Sequence, residues 1–105
     1  MLNNEVYGEA SSALAAEVLA RANASDRDRI RTAAQRCLSR QPTSEELHEV
    51  GELLRKAREY YAKNRDAAEK VVGTQKRDWL DFQEHAAWSA TLRTLLNLDE
   101  FITRD

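Results

Sequence analysis

The sequence contains very few of the residues that build disulfide frameworks, metal fingers and tight turns. Its 105 residues include one cysteine, one proline and three glycines. A single cysteine, Cys37, excludes an internal disulfide and every CxxC metal-binding or haem-attachment motif. The scarcity of glycine and proline is typical of helices joined by short turns, and no glycine-rich phosphate loop is present.

Long apolar runs and an excess of one charge are also missing. The longest apolar runs span only a few residues, as at 13–16, whereas a membrane-spanning helix needs about 20. The 16 basic and 18 acidic residues alternate to a net charge of -2. Even the densest basic stretch, residues 21–40, is interleaved with Asp26 and Asp28, which indicates a solvated helix surface. We therefore expect neither a nucleic-acid nor a membrane partner.

The length and the bulk composition predict one domain. A chain of 105 residues is large enough for one core and too small for two. Hydrophobic residues make up 42% and charged residues 32%, a balance typical of soluble globular proteins. We expect residues 1–105 to form a single helical domain. The first five residues have neither the positive flank nor the apolar core of a signal peptide.

Hydrophobic periodicity predicts an all-α fold, a small antiparallel bundle of about four helices. The first helix is predicted over about residues 4–22. Its inner side is predicted to contain Ala10, Leu14 and Val18, with Arg21 as a further candidate and with Ala13 and Leu19 widening it. No stretch alternates in the manner of a β-strand, and no Asn-Gly or Asp-Gly hairpin turn occurs.

Capping signals predict the starts of the second and third helices. Ser25 is a good N-cap, and the helix after it has an apolar face made by Ile30, Ala33, Ala34, Cys37 and Leu38. Thr43 and Glu46 have the spacing of a capping box. The third helix continues through Leu47, Val50, Leu54, Ala57 or Arg58, and Tyr61. Its pattern loosens at 64–66, residues 67–72 add a turn or two, and Gly73 ends it.

The last helix is predicted to begin near Asp81 and to reach about Asn97. Asp81 and Glu84 have capping-box spacing, although Trp79 could begin the helix instead, and residues 75–82 are the least defined stretch. Helical spacing places Trp88, Leu92 and Leu95 in one apolar stripe, which ends at the polar Asp99. This stripe is predicted to pack against the preceding helices.

Side chains with catalytic or metal-binding chemistry are sparse. Glu45-x-x-His48 has the spacing used in di-iron carboxylate bundles, but Phe82 precedes the only other histidine, His85, by three residues, so a second copy is missing. Cys37 lies on an apolar helix face, where cysteine usually packs as a small hydrophobe. We therefore expect no catalytic residue, no metal site and no cofactor, and the chain is predicted not to be an enzyme.

Four aromatic residues are the candidates for an interaction surface. Tyr60 and Tyr61 are interleaved with Lys56, Arg58, Lys63 and Arg65, a composition that could stack on bases or sugar rings. The alternative is that one tyrosine packs in a helix seam while the other points outwards. Trp79 and Phe82 fall where regular structure is least defined, so an exposed pair there would form a docking patch for another domain.

Three stretches resemble one protein family. They are Leu2-Asn3-Asn4 before an alanine-rich helix, the run from Leu38 to Leu47, and the run from Ala87 to Phe101. Together they resemble the C-terminal domain of unknown function found in planctomycete cytochrome-type (cytochrome c-like) multidomain proteins. The resemblance spans nearly the whole chain, and its third stretch is the most specific.

The resemblance implies that the chain is the last part of a large exported or periplasmic protein. Such proteins often carry a cytochrome c-like domain far upstream, and some add carbohydrate-binding modules. No haem chemistry transfers to this sequence, because it contains no CxxCH. The resemblance supports Trp88, Leu92, Leu95, Leu96 and Phe101 as packing residues. It implies a non-catalytic domain that packs against or orients the upstream domains; the alternative is a glycan- or polymer-binding module. The oligomeric state stays open.

Overall fold

A computed structural model describes the backbone of residues 4–21 and 24–102 and the side chains of residues 10–21 and 24–97. These residues form five α-helices, and none of them is in a β-strand. The helices are α1 (Asn4–Leu19), α2 (Asp26–Leu38), α3 (Ser44–Lys63), α4 (Arg65–Val72) and α5 (Phe82–Ile102), with a 3₁₀ turn at Gly73–Gln75. The predicted all-α fold is confirmed.

The helix starts that the capping signals predict are confirmed. Ser25 accepts a hydrogen bond from the Asp28 backbone N–H at 3.2 Å. At the start of α3, Thr43 Oγ1 accepts from the Glu46 N–H at 3.1 Å, and Glu46 Oε1 accepts from the Thr43 N–H at 2.8 Å. Asp81 Oδ2 accepts from the Glu84 N–H at 3.0 Å, so α5 begins one residue after Asp81. Each cap satisfies a backbone donor that has no partner within its helix.

The structure has five helices where the sequence predicts about four, because the third predicted run is broken. Asn64 leaves helical geometry at φ -128° and ψ 71°, and α4 begins at Arg65 rather than at Ala67. The Asn64 side chain donates to the Tyr60 carbonyl at 2.8 Å and so satisfies one acceptor at the end of α3. Gly73 then ends α4 with φ 53°, a conformation that favours glycine.

The last helix, α5, lies at the centre of the fold, where it packs against each of the other four α-helices. The predicted stripe is confirmed, since Trp88, Leu92 and Leu95 are buried and Leu96 packs against them. The side chains of Asp99 and Phe101 lie outside the described part. A second, smaller cluster of Ala68, Val72 and Ala86 joins α4 to α5, and Tyr61 packs against both clusters.

The predicted inner face of α1 is wrong in part. Ala10 and Arg21 are exposed, and α1 ends at Leu19. The face instead buries Ser11, Ser12, Ala15 and Ala16 together with Val18 and Leu19. Small side chains allow α1 to approach α5 closely, and the buried Ser12 meets polar groups of α5 and α4. The Ser12 carbonyl lies 2.8 Å from His85 Nε2, and the Ser12 hydroxyl donates to the Val71 carbonyl at 3.3 Å.

We predict that Gly51→Ala stabilises the protein by about 1 kcal/mol, because alanine favours the helix interior more than glycine does. A Cβ at Gly51 would meet only Ile30 Cδ1, at 4.0 Å, which is an ordinary contact. Gly73→Ala is the same change at a residue whose φ of 53° favours glycine. We expect it to destabilise the protein by about 1 to 3 kcal/mol. Urea unfolding followed by circular dichroism measures both. A Gly51→Ala variant with lower stability than the parent would contradict this packing.

Candidate functional site

The four predicted interaction residues come from three parts of the fold. Tyr60 and Tyr61 lie in the last turn of α3, Trp79 lies in the connection before α5, and Phe82 is the first residue of α5. Gln83 Nε2 donates to the Tyr61 carbonyl at 2.7 Å and joins the start of α5 to the end of α3. We call these four residues the aromatic end.

Two of the four rings are open to solvent. Tyr60 is 54% exposed and Trp79 is 58% exposed. Tyr61 and Phe82 are half-buried and pack against the small cluster of α4 and α5. The two tyrosine rings meet edge to face at 5.0 Å between centroids, and burial raises the pKa of Tyr61. Thus one tyrosine packs in the seam and its neighbour points outwards.

Two cations lie over the ring of Phe82. Arg65 Cζ is 4.6 Å and Lys76 Nζ is 5.2 Å from the ring centroid, distances at which the negative face of the ring attracts a cation. Within the described residues, no carboxylate approaches Lys63, Arg65 or Lys76 to 4.0 Å. The sequence placed Arg65 beside the tyrosines. It did not predict that Arg65 lies over Phe82, because the two residues are 17 positions apart. The position of Lys76 near the same ring was also not predicted.

Arg58 forms an ion-pair network next to the aromatic end. Its Nε donates to Glu84 Oε1 at 2.9 Å and its Nη1 donates to Asp26 Oδ2 at 2.8 Å. Glu84 Oε2 also accepts from the buried indole of Trp88 at 3.2 Å. The hydrogen bond from Arg58 lowers the pKa of Asp26, and those from Glu84 and Asp26 raise the pKa of Arg58. Arg58 therefore ties α2, α3 and α5 together, unlike the cations over Phe82.

A shallow cavity of about 330 Å³ lies beside this network. Its lining is Arg58, Ala62, Asp81, Gln83 and Glu84. Four of these side chains already bind protein groups: Arg58 and Glu84 pair with each other, Gln83 binds the end of α3, and Asp81 accepts from the Glu84 backbone N–H. The cavity is thus a hydrogen-bonded seam between α3 and the start of α5.

The structure does not bring the other sequence candidates together. Glu45 and His48 are exposed, and Cys37 is buried as its apolar position predicts. Across residues 10–21 and 24–97, no group of three or more His, Cys, Asp or Glu side chains could hold a metal ion. No helix in the described ranges is both long and apolar enough to cross a bilayer.

The sequence reasoning missed His85, which is completely buried. Because the Ser12 carbonyl can only accept, Nε2 carries the ring proton. Nδ1 has no hydrogen-bond partner among the described residues. A signal was available, since His85 stands three residues before Trp88 and continues the stripe through Leu92 by helical spacing.

We predict that the two tryptophans can be separated by fluorescence, because Trp79 is exposed and Trp88 is fully buried. Trp79→Phe should remove the red-shifted emission and the component that acrylamide quenches readily, while the thermal midpoint stays nearly unchanged. The matched Trp88→Phe variant should keep that component and lower the midpoint, because it removes packing and the indole bond to Glu84. Equal quenching of the two variants would refute the exposed position of Trp79.

We predict that Asp26→Asn lowers stability at pH 7 by about 0.5 to 1 kcal/mol, because it removes a partly exposed ion pair with Arg58. The lowered pKa of Asp26 adds stability above its ordinary value of 3.8, and this contribution is lost as the pH falls below that value. The variant should therefore lose less stability than the parent between pH 5 and 3 in urea titrations. Asp28→Asn, in the same helix turn, is the control and should keep the parental acid dependence. Identical slopes for the parent and Asp26→Asn would contradict the pairing.

The geometry of this site, rather than similarity to a known protein, is the basis for inferring its function. No protein-family model, curated protein or solved structure matches the chain.

Proposed function

We propose that this chain is a non-catalytic binding module and that its aromatic end makes the functional contact. The observation that carries the proposal is the exposure of Trp79 and Tyr60, the exposed large hydrophobic side chains of the described part. Tryptophan and tyrosine contribute disproportionately to binding when a partner covers them. The Cys37 thiol is buried, which disfavours a role for it as a nucleophile.

We infer that the helices form a small antiparallel bundle that holds the aromatic end in place. Short connections between consecutive helices favour antiparallel neighbours. The central position of α5 supports this arrangement, because a helix enclosed by four others fixes the direction of the segment that precedes it. In this arrangement the bundle is the scaffold, and the connection before α5 presents Trp79.

The first candidate partner is another domain of the same protein. Support comes from the resemblance to the C-terminal domain of planctomycete cytochrome-type proteins, whose other domains lie upstream. In this proposal the module packs against or orients those domains in an exported or periplasmic protein. Haem binding belongs to the upstream domain and not to this chain.

The second candidate partner is a glycan or a similar polymer. It is favoured by the exposed rings of Trp79 and Tyr60, which offer stacking faces, and by the cations that surround Phe82. Aromatic rings bind the apolar faces of sugars, and charged neighbours add hydrogen bonds.

Crosslinking of the longer polypeptide tests the first candidate. If upstream domains dock on the aromatic end, amine-reactive crosslinks should join Lys63 and Lys76 to those domains. Trp79→Ala should reduce these crosslinks severalfold, while Trp79→Phe should retain most of them because the ring is kept. Unchanged yields in Trp79→Ala would argue against docking through this end. An upstream sequence without a CxxCH motif and a signal peptide would remove the cytochrome-type context.

A further inference from the structure

We propose that the aromatic end binds an acidic polysaccharide, with its sugar rings against Trp79 and Tyr60 and its carboxylate or sulfate groups on Arg65 and Lys76. This inference rests on the second candidate partner of the proposed function and adds the charge of the ligand to it. Two cations lie near the Phe82 ring, and no carboxylate of the described residues is bound to either of them.

The two cations are close enough to repel each other. Both are measured from one centroid, so their charges lie no farther apart than about 10 Å, the Debye length at 0.1 M ionic strength. Neither has a carboxylate within 4.0 Å among the described residues. The ring attraction compensates for part of the repulsion, and an anionic group bound to either cation would reduce it further. The site is therefore complementary to an anion.

Several arginines elsewhere in the described part are bound by carboxylates instead of by a ring. Arg40, between α2 and α3, is bound in two places by Glu46, and Arg55 on α3 pairs with Glu52 and Glu59. Those arginines are already neutralised by the protein. Around Phe82 the cations instead use an aromatic ring, which attracts them without cancelling their charge. Arg65 and Lys76 are exposed, so their charges stay available to a ligand.

The exposed aromatic rings indicate what carries the anion. Trp79 stands three residues after Lys76 and three before Phe82, while Tyr60 contacts Tyr61 at the end of α3. Flat rings beside cations suit a ligand that alternates apolar ring faces with negative groups. Polymers of uronic or sulfated sugars have that alternation in every repeat, and stacking and ion pairing would then reinforce each other.

The local acids argue against a nucleic acid. Asp66, Asp78 and Asp81 are exposed on the same segments as the cations. Duplex DNA carries about one charge per 1.7 Å of its axis, so a phosphate backbone across this end would meet those carboxylates. A uronic-acid chain has about one charge per ring, a lower density than that of duplex DNA, so it meets these carboxylates with fewer of its charges. An acidic protein surface is the remaining alternative, and the experiment includes it.

Isothermal titration of the whole chain tests the inference with four named probes at low and moderate salt. Polygalacturonate presents carboxylates, dextran sulfate presents sulfates, neutral dextran presents sugar rings without charge, and poly-glutamate presents carboxylates without sugar. We expect binding to one or both acidic polysaccharides and no measurable binding to dextran or poly-glutamate. The double variant Arg65→Gln/Lys76→Gln should weaken binding at least tenfold, and Trp79→Ala about tenfold. Circular dichroism should be unchanged in each variant.

Arg27→Gln is the matched control, because it removes an exposed arginine of α2 that also has no carboxylate within 4.0 Å among the described residues and that lies beside the start of α3 rather than its end. It should change binding less than twofold. A loss as large as that of one site cation would show general ion exchange and overturn the inference.

Tighter binding to poly-glutamate than to the polysaccharides would overturn the inference in favour of an acidic protein partner. Binding to dextran that depends on Trp79 alone would overturn the anionic assignment but leave the binding module intact. No binding to any probe would overturn this inference, while the crosslinking result decides separately whether the end docks another domain.

Discussion

The fold depends on the shared carboxylate of Glu84, at the start of the one helix that all the others contact. This carboxylate accepts from Arg58 on α3 and from the indole of Trp88 one turn further along α5. Arg58 then reaches Asp26 at the start of α2. A buried indole N–H needs an acceptor, and a partly buried carboxylate needs donors. One side chain meets both needs, and three helices are thereby fixed relative to one another.

The position of the aromatic end follows from that constraint. Because Glu84 fixes the start of α5, its neighbour Gln83 lies where it can bind the last carbonyls of α3. Phe82 then faces the small cluster that α4 forms with α5, and Arg65 at the start of α4 covers its ring. Trp79 belongs to neither core cluster, and its side chain is exposed to solvent. The exposed ring is thus a consequence of where α5 is anchored.

Local signals predicted most of the helix starts, whereas contacts between distant residues escaped prediction. The capping box of Thr43 and Glu46 depends on residues three apart, so the sequence alone determines it. The inner face of α1 does not, because Ser12 is buried only where α1 meets His85, 73 residues away. The apolar residues of α1 predicted an inner face that is rotated around the helix from the observed one. The cations over Phe82 escaped for the same reason: no periodicity along the chain shows which cation lies near which ring.

The charge distribution carries the functional argument further than the hydrophobic pattern does. A net charge of -2 with alternating signs suggests a surface without preference, but the folded chain divides its cations into two groups. One group contains arginines held by carboxylates, such as Arg58 on α3 and Arg40 between α2 and α3. Those beside Phe82 are held by a ring and keep their charge. Other exposed cations of the described part, such as Arg27 and Lys56, also have no carboxylate of that part within 4.0 Å. What distinguishes Arg65 and Lys76 is that both lie over one aromatic ring, in the segment that also contains the exposed Trp79.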